Sequence, residues 1–190
     1  MATEHPFAHP PMGGLAALQA AAEAHPGLPP VTRWNPAYCG DSGMRIGKDG
    51  TWYHQNEPIR RAGLVRLFST ILRKDEEGFM LVTPAEKLSI TVEDAPFLAV
   101  LMAVEGDGER QRLTFTTNVG DGVAAGPDHG LRFSPDPASG APIPYLHVRH
   151  GLEAKLARSV YYHLVERAVM RSDELGVWSE NVFFVLGVIS

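Results

Sequence analysis

Residues 39–72 read CGDSGMRIGKDGTWYHQNEPIRRAGLVRLFSTIL, and this stretch decides the fold. Met44 and Ile46 alternate with Arg45 and Gly47, the pattern of a half-buried strand. Lys48-Asp49-Gly50 marks a tight turn, because Asp-Gly accepts the positive φ that two-residue hairpin turns need. Residues 51–55, aromatic and β-tolerant, return as a second strand that Pro58 ends. From Gly63 the period changes. Leu64, Leu67, Phe68, Ile71 and Leu72 follow the i, i+3, i+4 spacing of an amphipathic helix over 63–72, with Arg60, Arg61, Arg66 and Arg73 on or beside its polar side.

Working outward from this unit, residues 1–33 form an N-terminal arm. Pro6, Pro10, Pro11, Pro26, Pro29 and Pro30 bracket an alanine-rich piece, 14–24, that predicts a short helix. His5, His9 and His25 read as solvated residues of that arm. On the other side, 74–78 is a charged turn, and 79–83 and 87–92 are strands. Glu93-Asp94-Ala95-Pro96 is a turn at the boundary between a first β-rich repeat, 34–94, and a second, 95–190. The second repeat reads as strands at 97–104, 113–117, 131–133 and 145–149. Leu152, Leu156, Val160, Leu164 and Ala168 then predict a long helix over 152–170, and 182–189 is a closing strand. Leu131-Arg132-Phe133 echoes Met44-Arg45-Ile46, which suggests an internal repeat. The expected class is α+β: two tandem β-rich repeats, each an antiparallel sheet with one amphipathic helix.

The chain has 190 residues, 44% hydrophobic and 21% charged, the composition of a globular protein. A net charge of −5 argues against a broad grip on DNA or on a membrane surface. A single cysteine, Cys39, excludes an internal disulfide framework, and the N-terminus shows no signal-peptide pattern. The longest apolar run, 97–104, falls well short of the roughly 20 residues of a membrane span. A cytoplasmic protein is the expectation.

No phosphate-loop, dinucleotide or kinase motif occurs, and no cofactor is expected. Cys39 reads as a small buried residue in preference to a nucleophile. His147 and His150 lie on a strand end, where residues three apart face opposite sides, so a shared metal is not expected. Gly120-Asp121-Gly122 reads as a connection between strands. The arginines are the more informative set. Arg45, Arg60, Arg61 and Arg66 in the first half, with Arg132, Arg149, Lys155 and Arg158 in the second, supply forks for phosphate or carboxylate, and Trp52, Tyr53, Tyr161 or Tyr162 could stack a base. Their competing reading is ordinary pairing with Asp41, Asp49, Glu57 and Glu153.

The ordered segments WNPAYCGDSGMRIGKDGTWYHQNEPI, RAGLVRLFSTIL, FMLVTPAEKLSITVEDAPF, FTTNVGDGVAAGPDHGLRF and PYLHVRHGLEAKLARSVYYHLVE, spanning about residues 34–184, resemble the proteobacterial family known as domain of unknown function 1285. The resemblance implies an internal duplication, a C-terminal half similar to pleckstrin-homology-like domains, and a site between the halves for a nucleotide-like ligand with a signalling role. It brings no catalytic residues. The expected function is therefore non-catalytic binding of a small anionic ligand in the cleft between halves. Arg45, Arg61, Arg66, Lys87 and Arg149 would hold the anion, with Trp52 and Tyr53 for stacking. The alternatives are a protein-interaction module and a small enzyme using Cys39 or Asp41.

Overall fold

The computed structural model describes residues 19–20, 23–24 and 27–188. The helix expected over 14–24 lies largely outside these residues; Gln19, Ala20 and Glu23 within it are helical. His5, His9 and His25 fall outside them. The chain divides into two compact units, one of residues 1–47 and 51–92, the other of 48–50 and 93–190.

The first unit contains β1 (Tyr38–Ile46), β2 (Trp52–His54), β3 (Glu57–Pro58), α1 (Ala62–Thr70), β4 (Leu72–Asp75), β5 (Gly78–Val82) and β6 (Lys87–Val92). The Asp-Gly hairpin forms with Ile46 opposite Trp52 and Gly50 at φ +79°. α1 stops where Ile71 leaves helical geometry and its N–H turns back to the Phe68 carbonyl. Leu72, read from spacing as the last helical contact, instead opens β4 and pairs with Leu81. Met44, Ile46, Trp52, Phe68, Ile71, Leu72, Leu81 and Val82 form the buried core.

The strands of this unit lie in the order β3-β2-β1-β6-β5-β4. Two three-stranded meanders, β1–β3 and β4–β6, join through a parallel β1–β6 pair at the centre. The sheet is therefore mixed, not antiparallel throughout. Tight turns reveal only hairpins, whereas the central pair joins the first and last strands of the unit.

The second unit contains β7 (Phe97–Glu105), β8 (Arg112–Thr117), β9 (Gly122–Ala124), β10 (Leu131–Pro135), β11 (Pro142–Arg149), β12 (Leu152–Leu156), α2 (Arg158–Val165), β13 (Val169–Arg171), β14 (Glu174–Ser179) and β15 (Val182–Val188). Its large sheet runs β10-β11-β12-β7-β8-β9, again two meanders joined by a parallel pair, here β12 with β7. Numbered within each unit, the two strand orders are the same. The repeat is thus one of topology, and it corrects the alignment suggested by the sequence: β1 matches β7, and Leu131-Arg132-Phe133 lies on β10, the counterpart of β4.

The long helix expected over 152–170 is three elements: β12, the short α2 and β13. Leu152, Ala154 and Leu156 are buried and alternate with the half-buried Glu153 and Lys155. Residues four apart share a face in a strand as well as in a helix, so Leu152 and Leu156 fit both periods. β13, β14 and β15 form a third, three-stranded sheet, of which only the last strand was expected. Ser179, fully buried on β14, ties this sheet to the large one. Its hydroxyl donates to the Ala125 carbonyl (2.6 Å) and accepts from Leu113 N–H (3.0 Å).

Candidate functional site

Six of the residues expected to form an anion site belong to the first unit, and Arg149 belongs to the second. Arg45 and Tyr53 face each other across β1 and β2, the guanidinium 4.0 Å from the ring centroid. Trp52 is core, 1% exposed, and its indole N–H has no hydrogen-bond partner. Its ring is not presented to a ligand. Arg61 is the N-cap residue of α1 and Arg66 lies mid-helix, both exposed. Lys87 sits 3.3 Å from Asp75, a carboxylate that also takes a two-point bond from Arg73. Arg149 donates to Asp121 (2.6 Å) and lies over Phe97. Lys87 and Arg149 are thus each held by a carboxylate of their own unit. The pairing anticipated between arginines and Glu153 occurs at Arg132, which takes both carboxylate oxygens (2.6 and 2.7 Å).

Cys39 is exposed, not buried, and its thiol donates to the Ala37 carbonyl at 3.3 Å. It is the residue passed over at the register shift between Tyr38 and Gly40 in the β1–β6 pairing. Asp41 accepts from Gly43 N–H and the Ser89 hydroxyl. Among the described residues no group of three or more His, Cys, Asp or Glu side chains is placed to hold a metal.

The second unit brings together a different set. β11 and β12 place Tyr145 opposite Lys155, and both reach Asp94: the phenol donates at 2.7 Å and the ammonium at 2.6 Å. Burial opposes the charged form of Asp94, but the bonds from Lys155 and Tyr145 outweigh it and hold the carboxyl below its ordinary range. Burial, reinforced by Asp94, pushes the Tyr145 phenol up to about 12. The Arg132 guanidinium lies 4.2 Å over the Tyr145 ring and is held there by Glu153 and Ser134.

Beside this network is a cavity of about 480 Å³. One wall is Pro142, Ile143 and Pro144 of β11; another is Lys155 and Leu156 of β12; Asp136 and Ser139 come from the β10–β11 loop. α2 supplies Arg158, Tyr161 and Tyr162, three residues at i, i+3 and i+4 and hence on one helix face. The sheet positions this helix directly: α2 follows β12 after Ala157, whose N–H bonds to Ala99 of β7. Lys155 is already matched by Asp94. Arg158 is exposed and has no carboxylate partner among the described residues, at a helix start that lacks a side-chain cap. Burial pushes the Tyr161 phenol up. Asp136 accepts backbone N–H from Ala138 and Ser139, and these bonds hold its carboxyl low.

The arrangement can seat an anionic group at Arg158 against tyrosine and proline walls. Lys155, Arg158, Tyr161 and Tyr162 were legible as cations and rings. Their convergence was hidden by reading 152–156 as helix, and the proline-rich 135–144 segment gave no signal of lining a site.

The sequence matches two family domains that together span nearly all the described residues. Residues 29–95 match the domain of unknown function described as DUF1285, N-terminal domain, and residues 96–186 match the protein of unknown function DUF1285, C-terminal domain. The fold is similar to the crystal structure of a DUF1285 family protein from Silicibacter pomeroyi DSS-3, with 48% identity and a TM-score of 0.85 over 90% of this chain and 94% of that one. It is also similar to one from Shewanella baltica OS155, with 27% identity and a TM-score of 0.52 over 65% of this chain and 90% of that one. No curated protein matches.

Proposed function

From the premise that the chain belongs to the DUF1285 family, we propose that it is a non-catalytic, cytoplasmic binding protein with a signalling role, and that its ligand is a small, nucleotide-like anion. The site is the cavity between β11, β12 and α2 of the second unit. The observation that carries this reading is the placement of Arg158 beside Tyr161 and Tyr162 on the wall of a cavity of about 480 Å³, without an ion pair among the described residues, while the Asp136 carboxylate in the same lining is turned to the Ala138 and Ser139 N–H groups. An unmatched guanidinium binds phosphate or carboxylate through two parallel hydrogen bonds, and an adjacent ring adds a stacking surface. The reading also includes a likeness of the second unit to pleckstrin-homology-like domains. A helix packed on a curved sheet speaks for that likeness; the parallel β7–β12 pair at the sheet centre speaks against it.

The test is a thermal-shift panel of nucleotides and phosphorylated metabolites. A ligand present at about 100 times its dissociation constant stabilises the folded state by about 2.7 kcal/mol, a rise on the order of 5–10 °C for a chain of this size. Arg158→Gln removes the shift while leaving the unliganded melting temperature within about 1 °C, because the side chain is exposed. A panel without any shift, or one unaffected by Arg158→Gln, refutes the assignment.

A further inference from the structure

The β11–β12 turn carries a histidine whose two ring nitrogens each bond to a backbone group, which selects one tautomer of the neutral ring. His147 Nδ1 is 3.0 Å from the Asp128 carbonyl, so that nitrogen carries the proton. Its Nε2 is 3.2 Å from Gly151 N–H and accepts from it, so that nitrogen carries none. His129 completes the arrangement. Its Nδ1 donates to the His147 carbonyl (3.1 Å), and the two imidazoles stack with centroids 6.0 Å apart. The turn that His147 closes runs through left-handed backbone, His150 at φ +46° and Gly151 at φ +76°, a conformation that costs His150 more than glycine, and the strand register slips between His147 and Arg149.

We propose that His147 is an acid-sensitive latch for this turn. When Nε2 takes up a proton it becomes a donor facing the Gly151 N–H, and the bond that closes the turn is lost. Because His129 stacks on the same ring, protonation of both places two cations face to face.

The surrounding charges do not remove this conflict. Glu153 lies opposite His147 on β12, but both its oxygens are engaged by Arg132. On β11 itself the neighbours on the same face are Tyr145, bonded to Asp94, and Arg149, bonded to Asp121. Across the 125–130 loop Asp128 offers its carbonyl to Nδ1, and His150 is exposed in the turn. No neighbouring group relieves the clash of two donors between Nε2 and the Gly151 N–H. Opening the turn frees the end of β11 that carries Arg149, and with it the Arg149–Asp121 pair.

The experiment follows imidazole nitrogen chemical shifts and amide exchange in the full chain at about pH 7.5 and about pH 5, the interval in which imidazoles ordinarily take up a proton. Corrected for intrinsic exchange rates, protection of the Gly151 amide falls about tenfold or more at the lower pH. His147 Nε2 gains its proton over the same interval. His147→Gln, which keeps a donor and an acceptor but does not titrate, abolishes the step. Should His147 stay neutral at the lower pH, or become charged while Gly151 keeps its protection, the latch is refuted. Wild-type spectra decide this even if the variant folds poorly.

Discussion

Replacing Arg73 by leucine lowers the unfolding free energy by about 3 kcal/mol, the magnitude expected when one partner of a largely buried ion pair is removed. Arg73 and Asp75 side chains are 12% and 14% exposed, and the guanidinium makes a two-point bond to the carboxylate at 2.5 and 2.7 Å. The same guanidinium donates to the Val31 and Trp34 carbonyls at 2.8 and 2.7 Å, fastening the segment before β1 to β4. Leucine fills the volume but leaves Asp75 with only Lys87, at 3.3 Å, and withdraws a donor from both carbonyls. Urea unfolding measures the loss; an effect below about 1 kcal/mol would show that the clamp is ornamental.

The same cluster has a pH signature. The bond from Arg73 holds the Asp75 carboxyl below its ordinary value of 3.8, and Lys87 adds to the effect against the opposing influence of burial. A depressed carboxyl contributes stability that is fully present above 3.8 and lost as pH falls through its folded value. The gap between wild type and Arg73→Leu therefore narrows below about pH 4. A gap that stays constant into acid would contradict this assignment.

Gly176→Ala destabilises the second unit by about 2–3 kcal/mol through overpacking. A methyl group at this position would lie 2.5 Å from Phe183 Cζ and 2.6 Å from the Phe184 carbonyl oxygen. The ring can rotate away; the carbonyl can move only with β15. Gly176 stands at the register shift between Leu175 and Gly176, where β14 approaches β15 too closely for any Cβ. Displacing Phe183 also costs its contact with Trp178, 5.0 Å between centroids, and the Arg171 guanidinium 4.1 Å over its ring. Gly187→Ala, on β15 with nothing within 4 Å of the added carbon, is the control and changes stability by less than about 0.5 kcal/mol. Equal melting temperatures for the two variants would overturn the argument.

The parts of this fold legible in the sequence are those fixed by local chemistry. Lys48-Asp49-Gly50 announces its hairpin because few other dipeptides accept that turn, and the α1 face from Leu64 to Phe68 has only a helical reading. What stayed hidden was non-local or degenerate. The β1–β6 and β7–β12 pairs join strands at opposite ends of each unit, and no turn residue marks such a pairing. Leu152 and Leu156 satisfy both periods, and choosing the helical one displaced the start of α2 by six residues, from 152 to 158. That error also hid the candidate site. With α2 starting at Arg158, Tyr161 and Tyr162 fall on its face, whereas a helix begun at Leu152 gives no reason to set them against Pro142 and Pro144. Arg45, Lys87 and Arg149 drew notice by charge alone, and spacing cannot tell whether a carboxylate already holds a cation, as Asp75 and Asp121 hold two of these.

The most direct measurement is a two-dimensional NMR titration of the full chain with adenosine 5′-monophosphate, alongside inorganic phosphate. Binding in the second-unit cavity predicts saturable shifts centred on the amides of Ser139, Arg158, Tyr161 and Tyr162, absent in Arg158→Gln. Spectra unchanged by both compounds, or shifts that leave these four amides in place, would contradict the account.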